Sequence, residues 1–352
     1  MSGPRILLLG TLFALLIAGL YRFAVPRLEA FALAAWHDQV VKRLVEPKEK
    51  LAEPAFQLGL YRPELPYHFR TLFAMEDSLE SRISIVSWYQ AWGDGKPHSL
   101  NREVLGNVAR GGYVPMITWE PWVSAFDAYR GESPDSSLAL IAAGTFDSYI
   151  RAWAREAVRF GKPMFLRYAH EFSNPWYSWS AAHGNGPDTF IRAWRRVHGI
   201  FAEEGARNVA FVWNPFQAGD TLYYPGDDVV DWVGIDVFNF GPVVENGWWL
   251  DFSSLMQSMY RPLSRYGKPI MVAETGSVAE GGSKREWYRD MFRHLAAGGF
   301  PGVKALVIFD NPSSKAPNGL PVDLSMTADS TVYGMVKEGG TLRKLGLLPK
   351  GP

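Results

Sequence analysis

Two glutamates close apolar runs far apart in the chain. Glu171 ends Arg167-Tyr168-Ala169-His170-Glu171, and Glu274 ends Met271-Val272-Ala273-Glu274. An acid in such a run must be desolvated at a cost or project into a polar site. Two carboxyls meeting across one opening are the tools for breaking a sugar acetal. The retaining route needs them about 5 to 5.5 Å apart, one protonated to supply the leaving oxygen and one ionised to attack the anomeric carbon. Like-charge proximity raises one of the two pKa values and keeps a proton available near neutral pH. Taken singly, either glutamate could instead form a salt bridge to Arg167 or another base.

Aromatic side chains gather near the same places. Nine of the fourteen Trp (Trp88, Trp92, Trp119, Trp122, Trp176, Trp179, Trp213, Trp248 and Trp249) lie at the ends of apolar runs or just after them. Flat indole faces suit the C–H faces of pyranose rings, while carboxylate, amide and imidazole groups match sugar hydroxyls. The bland reading is that these Trp pack beneath long loops. Other chemistries fail on spacing. His170-Glu171 is followed by Phe172-Ser173-Asn174, so the second His of a helical zinc site is absent. The chain has no GxSxG elbow, no GxxxxGK[ST] loop and no GxGxxG fingerprint, and no metal or cofactor is expected. Asp227-Asp228 reads as a helix cap or solvated pair, with calcium a remote alternative.

Composition narrows the class. Thirty-six Lys and Arg balance thirty-six Asp and Glu, so no global positive field draws a nucleic acid. Hydrophobic residues are 47% and charged residues 20%, the balance of a packed chain. With no Cys, disulfides, Cys-ligated zinc, a thiol nucleophile and a lipoprotein anchor are excluded.

The elements that must position the two acids follow from periodicity. Short β-branched and aromatic runs alternate with helical stretches from residue 56 to 312. The strand-like runs are Phe56–Tyr61, Arg82–Trp88, Tyr113–Thr118, Pro163–Tyr168, Val209–Trp213, Asp231–Asp236, Pro269–Ala273 and Val303–Phe309. Helical stripes follow Thr145 and Asp188, and two more over 251–266 and 284–297 end at Gly267 and Gly298. Alternation of this kind implies parallel pairing, and the eight units predict an α/β fold, a (β/α)8 TIM barrel over 56–345. The fifth unit leaves only about fourteen residues between strands, room for little more than a loop.

Ahead of the barrel, Ile6 to Leu20 is apolar apart from Gly10, Thr11 and Gly19. It is shorter than the about 20 residues that span a bilayer. The only Ala-x-Ala lies downstream at Ala32-Leu33-Ala34, so 1–25 reads as an uncleaved signal-anchor, with a cleaved signal peptide as the alternative. Residues 26–55 read as a juxtamembrane helix or stalk, which puts the barrel outside the cytoplasm on the cell envelope. The Pro- and Gly-rich end Leu347–Pro352 is expected to fray.

The run Arg167 to Glu171 with Phe172-Ser173-Asn174-Pro175-Trp176-Tyr177-Ser178-Trp179, and Ala273-Glu274-Thr275-Gly276, resemble glycoside hydrolase family 26, retaining barrel enzymes that include β-mannanases, lichenases and β-1,3-xylanases. Trp119-Glu120-Pro121-Trp122 and Asp231 to Asp236 are also similar. The resemblance implies Glu171 as acid/base, Glu274 as nucleophile, and His170 as a neighbour contacting the nucleophile or the sugar. Trp119, Trp176 and Trp213 would stack on or bound sugar rings, with Trp88, Glu120 and Asn239 as further subsite residues; Glu120 has a rival role in pairing a rim Arg. Two departures stand out. Phe238 occupies the place after strand six where many members carry a Tyr that hydrogen-bonds the nucleophile, so a substitute donor is expected from His170, Tyr168 or Tyr89. Ser173-Asn174-Pro175 replaces the usual Asn-Gly-x step. The expected activity is a retaining endo-β-glycosidase acting on a β-linked polysaccharide (mannan, mixed-linkage β-glucan or a related exopolysaccharide). The alternatives are a carbohydrate-binding barrel with weak or no turnover, and a transglycosylase.

Overall fold

The computed structural model describes residues 56–79, 82–130 and 137–327. The expected anchor, the stalk and the frayed end lie outside them. Among the described residues no helix is long and apolar enough to cross a membrane.

The elements run β1 (Gln57–Tyr61), α1 (Arg70–Leu79), β2 (Ile85–Ala91), α2 (Arg102–Arg110), β3 (Val114–Glu120), α3 (Ser137–Ala143), α4 (Asp147–Phe160), β4 (Met164–Tyr168), α5 (Pro187–Glu203), β5 (Val209–Trp213), β6 (Trp232–Asn239), α6 (Phe252–Leu263), β7 (Ile270–Ser277), α7 (Lys284–Ala296) and β8 (Val303–Phe309). Each strand pairs in parallel with the next and β8 pairs with β1, closing the barrel. All eight expected strands are present, and several run further towards the mouth than periodicity indicated: β6 continues to Asn239 and β7 to Ser277. The fifth crossover is a loop with one 3₁₀ turn, Asp220–Tyr223.

Local chemistry sets the helix ends. α4 buries Ile150, Trp153, Ala154 and Ala157 and stops at Gly161, whose φ of 66° is the left-handed conformation that glycine adopts without a Cβ clash. Asp251 caps α6 by accepting from Ser254 N–H at 2.7 Å. Thr145 and Asp188 do not cap. Phe146 precedes α4, and α5 opens at Gly186-Pro187, where the proline's fixed φ suits the first helical position.

The barrel interior is layered. Ile85, Met116, Phe165, Val212, Met271, Ala273, Ala305 and Val307 form an apolar floor. Gly59 and Gly234 contribute no side chain, because a Cβ at Gly59 would lie 2.8 Å from Val307 Cγ2 and one at Gly234 would lie 2.4 Å from Asn214 Oδ1. Side chains alternate with period two, so the next inward positions above the floor are Ser87, Thr118, Arg167, Asn214 and Asp236. Beyond β8, a two-stranded hairpin of β9 (Ser314–Lys315) and β10 (Pro321–Val322) adds Ala316, Val322 and Leu324 to Val278 and Phe309. Tyr61, Tyr89 and Phe238 pack against this cluster.

Candidate active site

The polar layer is organised by Arg167, which is fully buried at the end of β4. Its Nε donates to Thr118 Oγ1 at 2.9 Å, and its Nη1 donates to Asn214 Oδ1 and Asp236 Oδ1, each at 3.2 Å. Its Nη2 donates to Glu274 Oε1. Asn214 Nδ2 donates to Asp236 Oδ2 at 2.8 Å. One guanidinium thus links β3, β5, β6 and β7. A buried cation is tolerated because its donors meet carboxylates and amide oxygens; removing a partner from such a buried set typically costs about 3 to 5 kcal/mol.

Glu274 is aimed into this layer by an irregularity in β7. The register with β6 passes from Ile235↔Val272 to Asp236↔Glu274, skipping Ala273. A bulge re-aims the side chain that follows it, so Ala273 joins the floor and Glu274 still points inward. A second donor reaches Glu274 Oε1 from across the barrel, the Tyr89 hydroxyl of β2. Tyr89 is the substitute expected for the phenol missing at Phe238. Tyr168 faces away from the mouth, and His170 does not bond Glu274 among the described residues. Burial, followed by the Glu274 charge, pushes the Tyr89 hydroxyl well above its ordinary pKa, so it stays a donor.

Glu171 stands just beyond β4, where the backbone leaves strand geometry. Ala169 and Glu171 have φ of 44° and 48°. Non-glycine residues adopt this region at a cost of about 1 to 3 kcal/mol, and such residues gather at functional sites. The Glu171 N–H is held by the Asn214 carbonyl at 2.8 Å, and Asn174 Nδ2 donates to Glu171 Oε2 at 2.8 Å. Burial first, and then the charge of Glu274, push Glu171 up to about 7, opposed by the Asn174 bond and the Arg167 charge. Burial, followed by the Glu274 charge, likewise pushes Asp236 well above the usual carboxylate range. Glu120 at the end of β3 is pushed up to about 7 by burial. Its Oε2 accepts the Trp122 Nε1–H at 3.2 Å, so the rim arginine expected as a rival partner is replaced by an indole.

Several sequence expectations require correction. Trp88, Trp119 and Trp213 are buried, and alternation puts them on the outward sides of their strands. Trp119 packs on Trp153 of α4 at 4.5 Å, and Trp213 packs on Tyr224 and Tyr266 at 5.1 and 5.5 Å. Trp119 and Trp213 hold helices and loops to the barrel, and none of the three faces the barrel axis. Asn239 is buried and donates to Ser277 Oγ at 3.0 Å, tying β6 to β7. His170 is buried with Nε2 against the Tyr177 hydroxyl at 2.9 Å. Burial and then the Arg167 charge hold its pKa well below the ordinary value, so it is neutral near pH 7. Trp176 is 67% exposed and keeps a free indole face. Asp227 and Asp228 are both exposed, as expected of a solvated pair, and Arg195 forks onto Asp228 at 2.6 and 3.0 Å.

Sequence reasoning missed Arg167 as the centre of the layer, Asp236 and Asn214 as its partners, Asn174 as a donor to Glu171, and Tyr61, whose hydroxyl is pushed up to about 12 by burial and then by Glu274. Counting two residues up from Met116, Phe165 and Val212 of the floor, and from Gly234 on β6, would have found Thr118, Arg167, Asn214 and Asp236.

The model of glycosyl hydrolase family 26 matches residues 109–297. The chain is 32% identical over 224 residues to endoglucanase H of Acetivibrio thermocellus, covering 61% of this chain and 23% of that protein. It is 32% identical over 117 residues to the β-1,3-xylanase TXYA of a Vibrio species, covering 31% and 24%. The chain thus spans about a quarter of the length of these curated relatives. Among solved structures, the GH26 domain of the endo-β-mannanase/endo-β-glucanase from Prevotella bryantii superposes with a TM-score of 0.55 at 15% identity, covering 86% of this chain and 92% of that one. A Bacillus subtilis mannanase gives 0.51 at 15% identity, covering 77% and 83%. At such identity these structures speak for the fold, and it is the match over more than half of the chain that places it: this protein belongs to glycosyl hydrolase family 26.

Proposed function

We propose that the barrel is a retaining endo-β-glycosidase that cuts a β-linked polysaccharide by double displacement. The observation that carries this reading is the contrast between two carboxyls at one mouth. Glu171 holds its proton up to about 7, with the Glu274 charge a named cause, while Glu274 receives Arg167 and Tyr89. Neighbouring titratable groups in such unlike surroundings mark out the acid and the ionised partner.

In the first step a carboxylate oxygen of Glu274 forms a bond to the anomeric carbon as the bond to the leaving oxygen breaks. The electron pair of that bond takes up the proton of Glu171. In the second step water gives a proton to Glu171 and adds to the anomeric carbon, and the bond to Glu274 breaks. His170 is neutral, bonded to Tyr177 and 5.8 Å from the Tyr89 ring. Trp176 offers a stacking face.

The named activity of endoglucanase H makes mixed-linkage β-glucan the first polymer to try, with mannan and β-1,3-xylan beside it. The wild-type protein is expected to release reducing ends from one of them with a β-configured first product by NMR. Glu274→Ala should lose turnover by about 10⁴-fold or more, partly restored by azide, which occupies the space of the missing carboxylate. Ordinary activity in both Glu171→Ala and Glu274→Ala would overturn the assignment.

A further inference from the structure

The chain that leaves Glu171 is gripped at two successive residues by the fifth crossover. Glu171 itself sits at a φ of 48°, and the turn it opens is closed by the Asn174 N–H, which donates to the Glu171 carbonyl at 2.8 Å. Between them lie Phe172 and Ser173. Phe172 is fully buried, its ring centroid 4.9 Å from that of Tyr223, 4.2 Å from Phe190 of α5 and 5.7 Å from Trp213 of β5. The Ser173 hydroxyl donates to Asp220 Oδ2 at 2.6 Å, inside the range for a hydroxyl on a carboxylate. Asp220 and Tyr223 are the two ends of one 3₁₀ turn.

Asp220 is a buried acid that the proposed double displacement does not use. Its Oδ2 also accepts the Gln217 N–H at 3.0 Å, and its Oδ1 accepts from Gln217 Nε2 at 3.3 Å. Among the described residues all of its donors are neutral, whereas buried acids are ordinarily paired with a cation. Its burial is offset only by those three bonds. The fifth crossover has no α-helix whose hydrogen-bond ladder would set its shape, so the 3₁₀ turn and the Glu171 loop hold each other. Ser173 belongs to Ser173-Asn174-Pro175, the step in which this chain departs from the pattern of family 26.

From this geometry we infer that Asp220 is a positioning residue: through Ser173 it fixes the turn that aims the Glu171 carboxyl at the leaving oxygen. The inference rests on the reading of Glu171 as the acid. The proton that moves is that of Glu171; Ser173 keeps its own, and Asp220 only accepts. A misplacement of about 1 Å can cost about 100-fold in rate. Here the cost falls on the steps in which Glu171 gives or takes a proton, and attack by Glu274 on the anomeric carbon is left intact.

The test compares wild type with Ser173→Ala, Asp220→Ala and Asp220→Asn on two substrates. One is the polymer that the wild type cuts; the other is the 2,4-dinitrophenyl β-glycoside of its disaccharide, whose leaving group departs without a proton. On the polymer, kcat/KM should fall about 100-fold in Ser173→Ala and Asp220→Ala. On the dinitrophenyl glycoside kcat/KM reports the first step alone and should stay within about threefold of wild type. Its kcat should fall, because water lacks its base in the second step, and azide, which needs none, should restore it. Asp220→Asn keeps an oxygen for Ser173 and should lie within about tenfold of wild type on the polymer. The Glu171 carboxyl, followed by NMR with ¹³C-labelled glutamate and assigned by its loss in Glu171→Gln, should titrate at lower pH in Ser173→Ala, because a carboxyl less firmly buried ionises more readily. The titratable groups around it, Glu274 of β7, Arg167 of β4, Asp236 of β6 and Tyr177 of its own loop, are left in place by these substitutions. Equal losses on both substrates, or wild-type polymer cleavage in Ser173→Ala, would overturn the inference. If Asp220→Ala does not fold, Ser173→Ala, which removes one hydroxyl, decides. If the wild type cuts neither substrate, the glycosidase reading fails, and an unmoved Glu171 titration in Ser173→Ala would still overturn the inference by itself.

Discussion

Around Arg167 the mouth collects Glu120, Glu171, Asp236 and Glu274, more negative charge than one guanidinium can balance in a partly dry site. Protonation relieves the excess, and Glu171 and Glu120, both pushed up to about 7, hold protons that exposed carboxylates would have lost. Two consequences follow for Glu171. In the proposed role of general acid it must be protonated in the free enzyme, so kcat/KM should fall through a basic limb near pH 7 in a pH profile. Its folded pKa is raised above the ordinary 4.5, so the native state binds more protons than the unfolded one between 4.5 and about 7. Stability is therefore lost as pH rises through that window. Glu171→Gln, which cannot ionise, should melt above wild type at pH 8, with the gap closing at pH 4.5. Equal melting temperatures at both pH values would show that the carboxyl is not so perturbed.

Along each strand, alternation decides what a residue type can do. Trp119 and Trp176 look alike as aromatic residues near strand ends, yet one faces the helices and the other stands 67% exposed. Trp119→Ala should cost about 3 to 5 kcal/mol in denaturant unfolding. Trp176→Ala should leave unfolding near wild type and weaken substrate binding by about 1 kcal/mol, roughly fivefold in KM. If Trp176→Ala melts early with KM unchanged, Trp176 is a packing residue. Gly234 is a third case. A methyl there would meet Asn214 Oδ1 at 2.4 Å, pushing aside the amide that holds both Asp236 and Arg167. Gly234→Ala is expected to lose about 1 to 3 kcal/mol from overpacking and at least about tenfold in kcat, since a small misplacement in the catalytic layer is enough to slow chemistry. The eight strands were legible because each is a short apolar run between helical stripes. The bulge at Ala273 was not, since Met271-Val272-Ala273-Glu274 reads as an unbroken strand and only pairing with both neighbours exposes the skipped residue.

At the scale of the molecule, an apolar run, Ile6 to Leu20, precedes the described barrel in the sequence. If 1–25 is an anchor, the full chain should sediment with membranes and resist carbonate extraction, and deletion of 1–25 should release active barrel into the soluble fraction. A full chain found soluble would rule out the tether expected from the sequence. A membrane-held glycosidase suits action on a polymer passing the envelope, and the balanced net charge gives no long-range pull on a charged partner.

The sequence by itself determined the (β/α)8 order, the two glutamates at the ends of the fourth and seventh strands, and the absence of thiol chemistry, because each is written in local periodicity or composition. Only the tertiary structure decided that Trp88, Trp119 and Trp213 are packing, that Asn239 ties strands, and that Arg167 and Tyr89 converge on one oxygen of Glu274. The physical reason is that a closed barrel brings β2, β4 and β7 to a common axis across 185 residues of chain. Which face of a strand a side chain occupies, and what meets it there, is fixed by pairing and closure, and no window along the chain contains that information.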